Sequence, residues 1–288
     1  VSRLEKLCKG GVFLAAGDDY RKSRRVLLGV PLDHTTSFRA GTREGPGAIR
    51  TASYCLEEYS IFSGKDLRDV CFFDAGDLPL PPGGTEESLR MIEEAVTEIL
   101  QDEKIPLLLG GEHLLTLGAL RAVSRFYDGL AVVQLDAHAD LRPEYLGVAH
   151  THASVMYHIK RELAPEIFQF GIRSATAEEV AFARENTHFY PFQVLPPLQE
   201  ALPLLKGRPV YLSLDIDVAD PAYAPGTGAP EPGGITSSEL LEAAVLLGGQ
   251  QLVGMDIVEV YPPYDPSGIT AMLAAKVIRE LILAPAGL

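Results

Sequence analysis

The 288-residue chain has few cysteines, a deficit of positive charge and no long apolar run. Its three cysteines, Cys8, Cys55 and Cys71, are far apart and lack metal-type spacing, so they read as free structural thiols in a reducing cytoplasm. Lysine and arginine number 25 against 39 acids, a formal net charge of −14. Nonspecific nucleic-acid binding needs a basic surface and is not expected. The acid surplus serves solubility and mildly steers cationic small molecules. No apolar span approaches the roughly 20 residues of a membrane helix, and the opening VSRLEKLCKGG has no signal-peptide core. A cytoplasmic protein without membrane contact is expected. Linkers, repeats and low-complexity stretches are also missing, so residues 1–288 are expected to form one domain.

What is present is alternation. The short apolar runs RRVLLGV, VCFFDAG, IPLLLGG, LAVVQLDAH, IFQFGIR, HFYP, PVYLSLDID and QLVGMDIVEV are separated by amphipathic segments. Several runs are apolar throughout, as in strands covered on both faces. Glu86–Lys104 has helical spacing, SSELLEAAVLLGG follows a helix-start signal at Thr236, and ITAMLAAKVIRELIL continues the pattern. Strands alternating with helices predict an α/β fold with a mostly parallel sheet. In such sheets ligands bind beyond the carboxyl ends of the strands.

Three of those ends are dense in metal-ligand residue types: GGEH with Glu112 and His113, DAHAD with Asp136, His138 and Asp140, and SLDIDVAD with Asp215 and Asp217. Residues two apart in an extended chain point the same way. That spacing predicts one wall from Asp136, His138 and Asp140 and another from Asp215 and Asp217. Buried carboxylates at this density do not all stay ionised without cations. Two divalent ions balance them, and carboxylate with some imidazole suits Mn²⁺. A two-metal site lowers the pKa of a bridging water and holds a hydroxide nucleophile.

The segments LGGEH, DAHAD and SLDIDVADPAYAPGTGAPEPGG, with PLDHTTSFRAGTREGPGAIR upstream, resemble the signatures of the ureohydrolases, the family of arginases and agmatinases. The resemblance covers nearly the whole chain. It implies a three-layer α/β/α domain around a parallel sheet of about eight strands. It also implies two Mn²⁺ per chain, hydrolysis of guanidino compounds to urea and an amine, and a homo-oligomer, either trimer or hexamer. Carried over by motif, His113, Asp136, Asp140 and Asp215 hold one metal. Asp136, His138, Asp215 and Asp217 hold the other, with Asp136 and Asp215 bridging. Glu112 stands where many members have Asp. Glu239 in GGITSSELL is the expected clamp on the guanidinium, with Glu231 as second choice. His152, in preference to His150, is the expected proton shuttle.

Arginases meet the arginine carboxylate and α-ammonium with an Asn loop and a Ser-Ser-Gly-Asn run. This chain has LRPEYLGVAHTH instead, and D-L-R-x-x-Y-x-G resembles the agmatinase branch. The substrate implied is agmatine, a small cation, cleaved to putrescine and urea. Arg142 is a potential carboxylate reader that would favour guanidinobutyrate, with Glu144 a potential neutraliser. Guanidinobutyrase, arginase and formimidoylglutamase are the alternatives within the enzyme class. A non-catalytic metal-binding homologue is the alternative outside it.

Overall fold

Eight segments pair side by side, the central ones buried on both faces and so left with no polar face to show to water. They are β1 (Arg25–Val30), β2 (Phe72–Asp77), β3 (Ile105–Gly110), β4 (Ala131–Leu135), β5 (Glu166–Phe170), β6 (His188–Tyr190), β7 (Val210–Asp215) and β8 (Leu252–Val258). The order across the sheet is β2-β1-β3-β8-β7-β4-β5-β6, and every neighbouring pair is parallel. The computed structural model describes Leu4, Leu7 and residues 11–285, so Cys8 lies outside the described residues.

Helices cover both faces. On one side pack α2 (Thr85–Gln101), α3 (Leu115–Val123), α4 (Val155–Leu163) and α5 (Ala177–Asn186), whose apolar residues Leu89, Leu120, Ile159 and Ala183 share a core with Leu28 and Leu108 of the sheet. On the other side pack α1 (Gly45–Ser53), α6 (Leu195–Leu205), α7 (Ser237–Gly248) and α8 (Ile269–Leu283), with Ile49, Leu198, Leu240 and Ile278 against Leu27 and Leu212. This is the expected three-layer α/β/α fold with eight strands. Among the described residues no helix is long and apolar enough to cross a membrane.

The strands are shorter than the sequence predicts at the functional ends. β4 stops at Leu135 and β7 at Asp215, where a 3₁₀ turn, Ile216–Val218, begins. The simple alternation expected for Asp136, His138 and Asp140 therefore fails: Asp140 has a left-handed backbone, φ 53°. The site is assembled by turns, with the sheet fixing where those turns start.

Sheet order then brings the turns together. After β3 the chain leaves the first half of the sheet and resumes at β4, and β8 and β7 later fill the gap. The ends of β3, β8, β7 and β4 thus face one crevice at the point where strand order reverses, the usual ligand position in such sheets. The Gly-Gly of GGEH makes this possible: a Cβ on Gly111 would lie 2.0 Å from the Leu32 carbonyl oxygen. Only glycine lets the chain pass that closely and turn His113 into the crevice.

The acidic segment FDAGDLPLPP, which spans the end of β2, has a structural task. Arg50 of α1 donates from Nε and Nη2 to both oxygens of buried Asp74, at 2.8 and 2.9 Å, and from Nη1 to Asp77. Cys55 and Cys71 are free, as expected, but both are exposed, which corrects their reading as structural residues.

Candidate metal centre and adjoining pocket

His113 follows β3 and is fully enclosed. Its Nε2 lies 2.9 Å from the Ser213 hydroxyl, which donates its one proton to Asp256 at 2.8 Å. Asp256 also accepts from Tyr211 and Thr116. The Ser213 oxygen is therefore an acceptor, His113 carries its proton on Nε2, and Nδ1 presents a lone pair. That lone pair faces the Oδ2 atoms of Asp140 at 3.0 Å, Asp136 at 3.1 Å and Asp215 at 3.7 Å. Nδ1 has no hydrogen-bond partner. A lone pair aimed into three carboxylates is repulsive unless a cation sits among them, so the donor set fits a metal ion.

The second half of the cage is built the same way. Asp136 is oriented by Gln134 Nε2, which donates to Oδ2 at 2.7 Å, and by the His138 amide, which donates to Oδ1 at 2.6 Å. Asp215 is set by the Asp217 amide at 2.8 Å, and Asp217 by the Ala137 amide at 3.0 Å. His138 Nδ1 lies 2.9 Å from Asp217 Oδ2. Ligand atoms converge in two groups, His113–Asp136–Asp140 and Asp136–His138–Asp217, and Asp136 belongs to both. The structure thus brings all six sequence-predicted metal ligands together, with Asp215 beside the first group.

The electrostatics of the cage call for positive charge. Burial and the neighbouring Asp136 charge push Asp140 up to about 6. Burial, then Asp217, Asp136 and Glu259, drive Asp215 well above the usual carboxylate range. Burial opposes ionisation of Asp136 too, yet His113 and His138 hold it below its ordinary value. Burial would likewise lower His113 and His138, but the surrounding aspartates raise both well above 6.5. Each direction states the same need, which divalent ions meet better than two imidazolium protons.

A cavity of about 320 Å³ opens above these residues, lined also by His152, Arg142 and Glu259. His152 begins a 3₁₀ turn capped by Thr151 and Ser154. Its amide donates to Thr35 Oγ1 at 3.0 Å, and its Nδ1 lies 3.3 Å from the same oxygen. Thr35 in turn donates from its amide and hydroxyl to Glu112 Oε2, at 2.8 and 3.1 Å. Glu112 is thus coupled to His152 through Thr35. Burial lowers His152 to about 4, so its imidazole is neutral at pH 7.

Two expected substrate residues are elsewhere. Glu239 is the third residue of α7, where its Oε2 accepts from the Thr236 amide and hydroxyl, both at 2.8 Å, in a capping box. It does not line the cavity. Glu231 is also absent from the lining; its backbone carbonyl is held by Arg173 at 2.7 Å. The acid that is present is Glu259, directly after β8. It has φ 63°, and its Oε1 accepts from the His113 amide at 2.7 Å. Burial raises it to about 8. The rule applied to the other strand ends would have found it, but QLVGMDIVEV reads as continuous strand and hides the turn.

Arg142 lines the cavity but is already engaged. Its Nε lies 3.4 Å from Glu179 Oε2 and its guanidinium stacks 4.8 Å above the Tyr145 ring. Glu179, not the exposed Glu144, is the neutralising acid. His150 lies outside the cavity lining, beside Glu86 and Glu162. His188 pairs with Glu166 and stacks on Phe168.

Comparison with known proteins follows this geometry. The arginase family model matches residues 23–284. An agmatinase of Halalkalibacterium halodurans is 45% identical over 98% of this chain and 99% of its own length. A guanidinobutyrase of Pseudomonas aeruginosa is 36% identical over 89% of this chain and 85% of its own. The crystal structure of an agmatine ureohydrolase of Thermoplasma volcanium superposes with a TM-score of 0.88 at 35% identity, covering 99% of this chain and 97% of that one.

Proposed function

The chain belongs to the arginase family of hydrolases, and we propose that it hydrolyses agmatine to putrescine and urea at a centre of two Mn²⁺ ions. The carrying observation is the pair of ligand groups sharing Asp136 at the floor of a cavity that Glu259 also lines. In this reading His113, Asp136, Asp140 and Asp215 hold one ion. Asp136, His138, Asp215 and Asp217 hold the other. When bound, the ions supply Lewis acidity that makes an attacking water acidic near neutral pH.

The chain's own residues do the rest. Glu259, not Glu239, is the acid available to the guanidinium, whose positive charge offsets the burial that raises the Glu259 carboxyl and draws it into the ionised form. Its backbone is held by the Gly111 carbonyl at 3.0 Å and its Oε1 by the His113 amide, so it can position a planar cation over the cage without moving. As the guanidinium carbon is attacked and its bond to the alkyl nitrogen breaks, the leaving amine needs a proton. His152 is neutral, so it can accept a proton and pass it on. Thr35, itself fixed by Glu112, keeps that imidazole oriented.

Agmatine is favoured over arginine because, among the described residues, both arginines that line the cavity already have partners. Arg142 is spent on Glu179 and Tyr145, and Arg39 donates to the Thr227 carbonyl at 3.1 Å and stacks over Tyr264. Guanidinobutyrate is the second reading, since Arg142 does line the cavity. Urea release by the Mn²⁺-loaded protein from agmatine, arginine and guanidinobutyrate tests this. An unmet charged contact costs about 2–3 kcal/mol, so agmatine is expected to exceed arginine in kcat/KM by on the order of a hundredfold. Equal rates would defeat the substrate assignment. No urea from any of them would favour a non-catalytic homologue. The same proposal includes a cytoplasmic location, suited to the exposed thiols Cys55 and Cys71, and a homo-oligomer, suited to the exposed Ile61 and Phe62.

A further inference from the structure

A second cluster of metal-ligand side chains lies outside the cavity lining, on α4 and the loop before it. His158 and Glu162 are one helical turn apart on α4, and His150 reaches them from the loop. Glu162 Oε1 lies 3.3 Å from His150 Nε2 and 3.7 Å from His158 Nδ1. The two imidazole rings meet edge to face with centroids 4.6 Å apart.

The protons in this cluster are accounted for by its outer partners. His158 Nε2 faces the carbonyl oxygens of Ala149 at 2.9 Å and Pro143 at 3.2 Å, which only accept. Its proton is therefore on Nε2, and Nδ1 is a bare lone pair. His150 Nδ1 lies 2.5 Å from Glu86 Oε1, so that nitrogen carries the proton and Nε2 is bare in the neutral ring. Glu162 is fixed from the far side by Arg121, whose Nε and Nη2 donate to Oε2 at 3.0 and 2.8 Å. With His150 neutral, three lone pairs, two of nitrogen and one of oxygen, converge; without a metal, a proton on His150 Nε2 can bridge to Glu162 Oε1 at 3.3 Å, and an ion would take that proton's place. Each ligand is held from behind by a hydrogen-bond partner, the arrangement that orients ligands at metal sites.

We propose that His150, His158 and Glu162 form a third metal site, separate from the catalytic cage, for one borderline divalent ion such as Zn²⁺. Ligands about 2.0–2.2 Å from a tetrahedral ion stand roughly 3.4 Å apart, close to the 3.3 and 3.7 Å found here. Two imidazoles and one carboxylate suit Zn²⁺ or Ni²⁺ better than Mg²⁺ or Ca²⁺. Three protein ligands leave a fourth position for water. The ion ties the loop that leads into His152 to the surface of α4, a link that His158 already begins by holding the Pro143 and Ala149 carbonyls.

The test uses the Mn²⁺-loaded protein, dialysed free of loose metal and then equilibrated with Zn²⁺. Manganese and zinc are counted separately in the same sample. The expected result is one Zn²⁺ gained per chain with manganese retained. The gain should be lost in His150→Ala/His158→Ala, and at least tenfold weaker in Glu162→Gln, while Asp136→Asn keeps it. If the double variant does not fold, Glu162→Gln and His158→Gln decide the matter alone. The proposal is overturned if no Zn²⁺ is gained, if zinc replaces manganese ion for ion, or if the variants take up as much as the wild type. Catalysis plays no part in the readout, so its outcome is independent of the substrate assignment.

Discussion

At the scale of single residues, the two glutamates Glu259 and Glu239 carry opposite expectations. Glu259→Gln removes the one carboxylate lining the cavity, among the described residues, that is neither a candidate metal ligand nor paired with Arg142, and should lower kcat/KM on the order of a hundredfold, from about 2–3 kcal/mol of charged contact, with the metal complement kept. Glu239→Ala removes one arm of a capping box, costing about 1 kcal/mol of stability, and should leave turnover nearly unchanged. Kinetics and thermal melts on both variants check this, and loss of activity in Glu239→Ala alone would restore the reading from sequence. His152→Ala should lower kcat with metal content intact. Because burial holds His152 near 4, an acid limb of the kcat profile around pH 6–7 does not arise from it and should stay in place in the variant. A limb that vanishes with His152 would mean an ordinary imidazole titration. The candidate metal ligands were legible as a cluster because His and Asp crowd three strand ends that otherwise read as apolar. Glu259 was not, because a single acid inside an apparent strand gives no signal of the left-handed turn that aims it. Thr236-x-x-Glu239 was legible as a helix start, and that local partnership, three residues away, is the one the fold uses.

At the scale of elements, the strands set positions and the turns set directions. The alternation of Asp136, His138 and Asp140 predicted a shared wall. The residues do converge, but through a β4 that ends at Leu135 and a left-handed Asp140, geometry that a period of two cannot contain. The network beneath His113 was invisible for a different reason: Ser213, Asp256, Tyr211 and Thr116 come from β7, β8 and α3, and only sheet order makes them neighbours. Asp256→Asn leaves the shape but disturbs the proton held on His113 Nε2. A fall of about 10–100-fold in metal affinity is expected, measurable by competition with a chelator. Unchanged affinity would mean that His113 is oriented by packing alone.

At the scale of the whole molecule, the fold gathers buried acid at the centre of a sheet in a chain of net charge −14. The parallel sheet and its two helical layers were readable from the alternation of apolar runs and amphipathic segments, since burial on both faces leaves its mark on every strand. Strand order was not readable, because it depends on where α-helical crossovers land. Such a cage folds against its own repulsion, so chelation should lower the thermal midpoint of the wild type and re-addition of Mn²⁺ should restore it. An unchanged midpoint would mean that the acids are neutralised without metal. The central claim is that two ions share Asp136, and anomalous diffraction at the manganese edge from Mn²⁺-loaded crystals tests it most directly. The account predicts two peaks per chain, one beside His113 and one beside His138, with the Asp136 carboxylate between them. A single peak, or two that do not both contact Asp136, would contradict it.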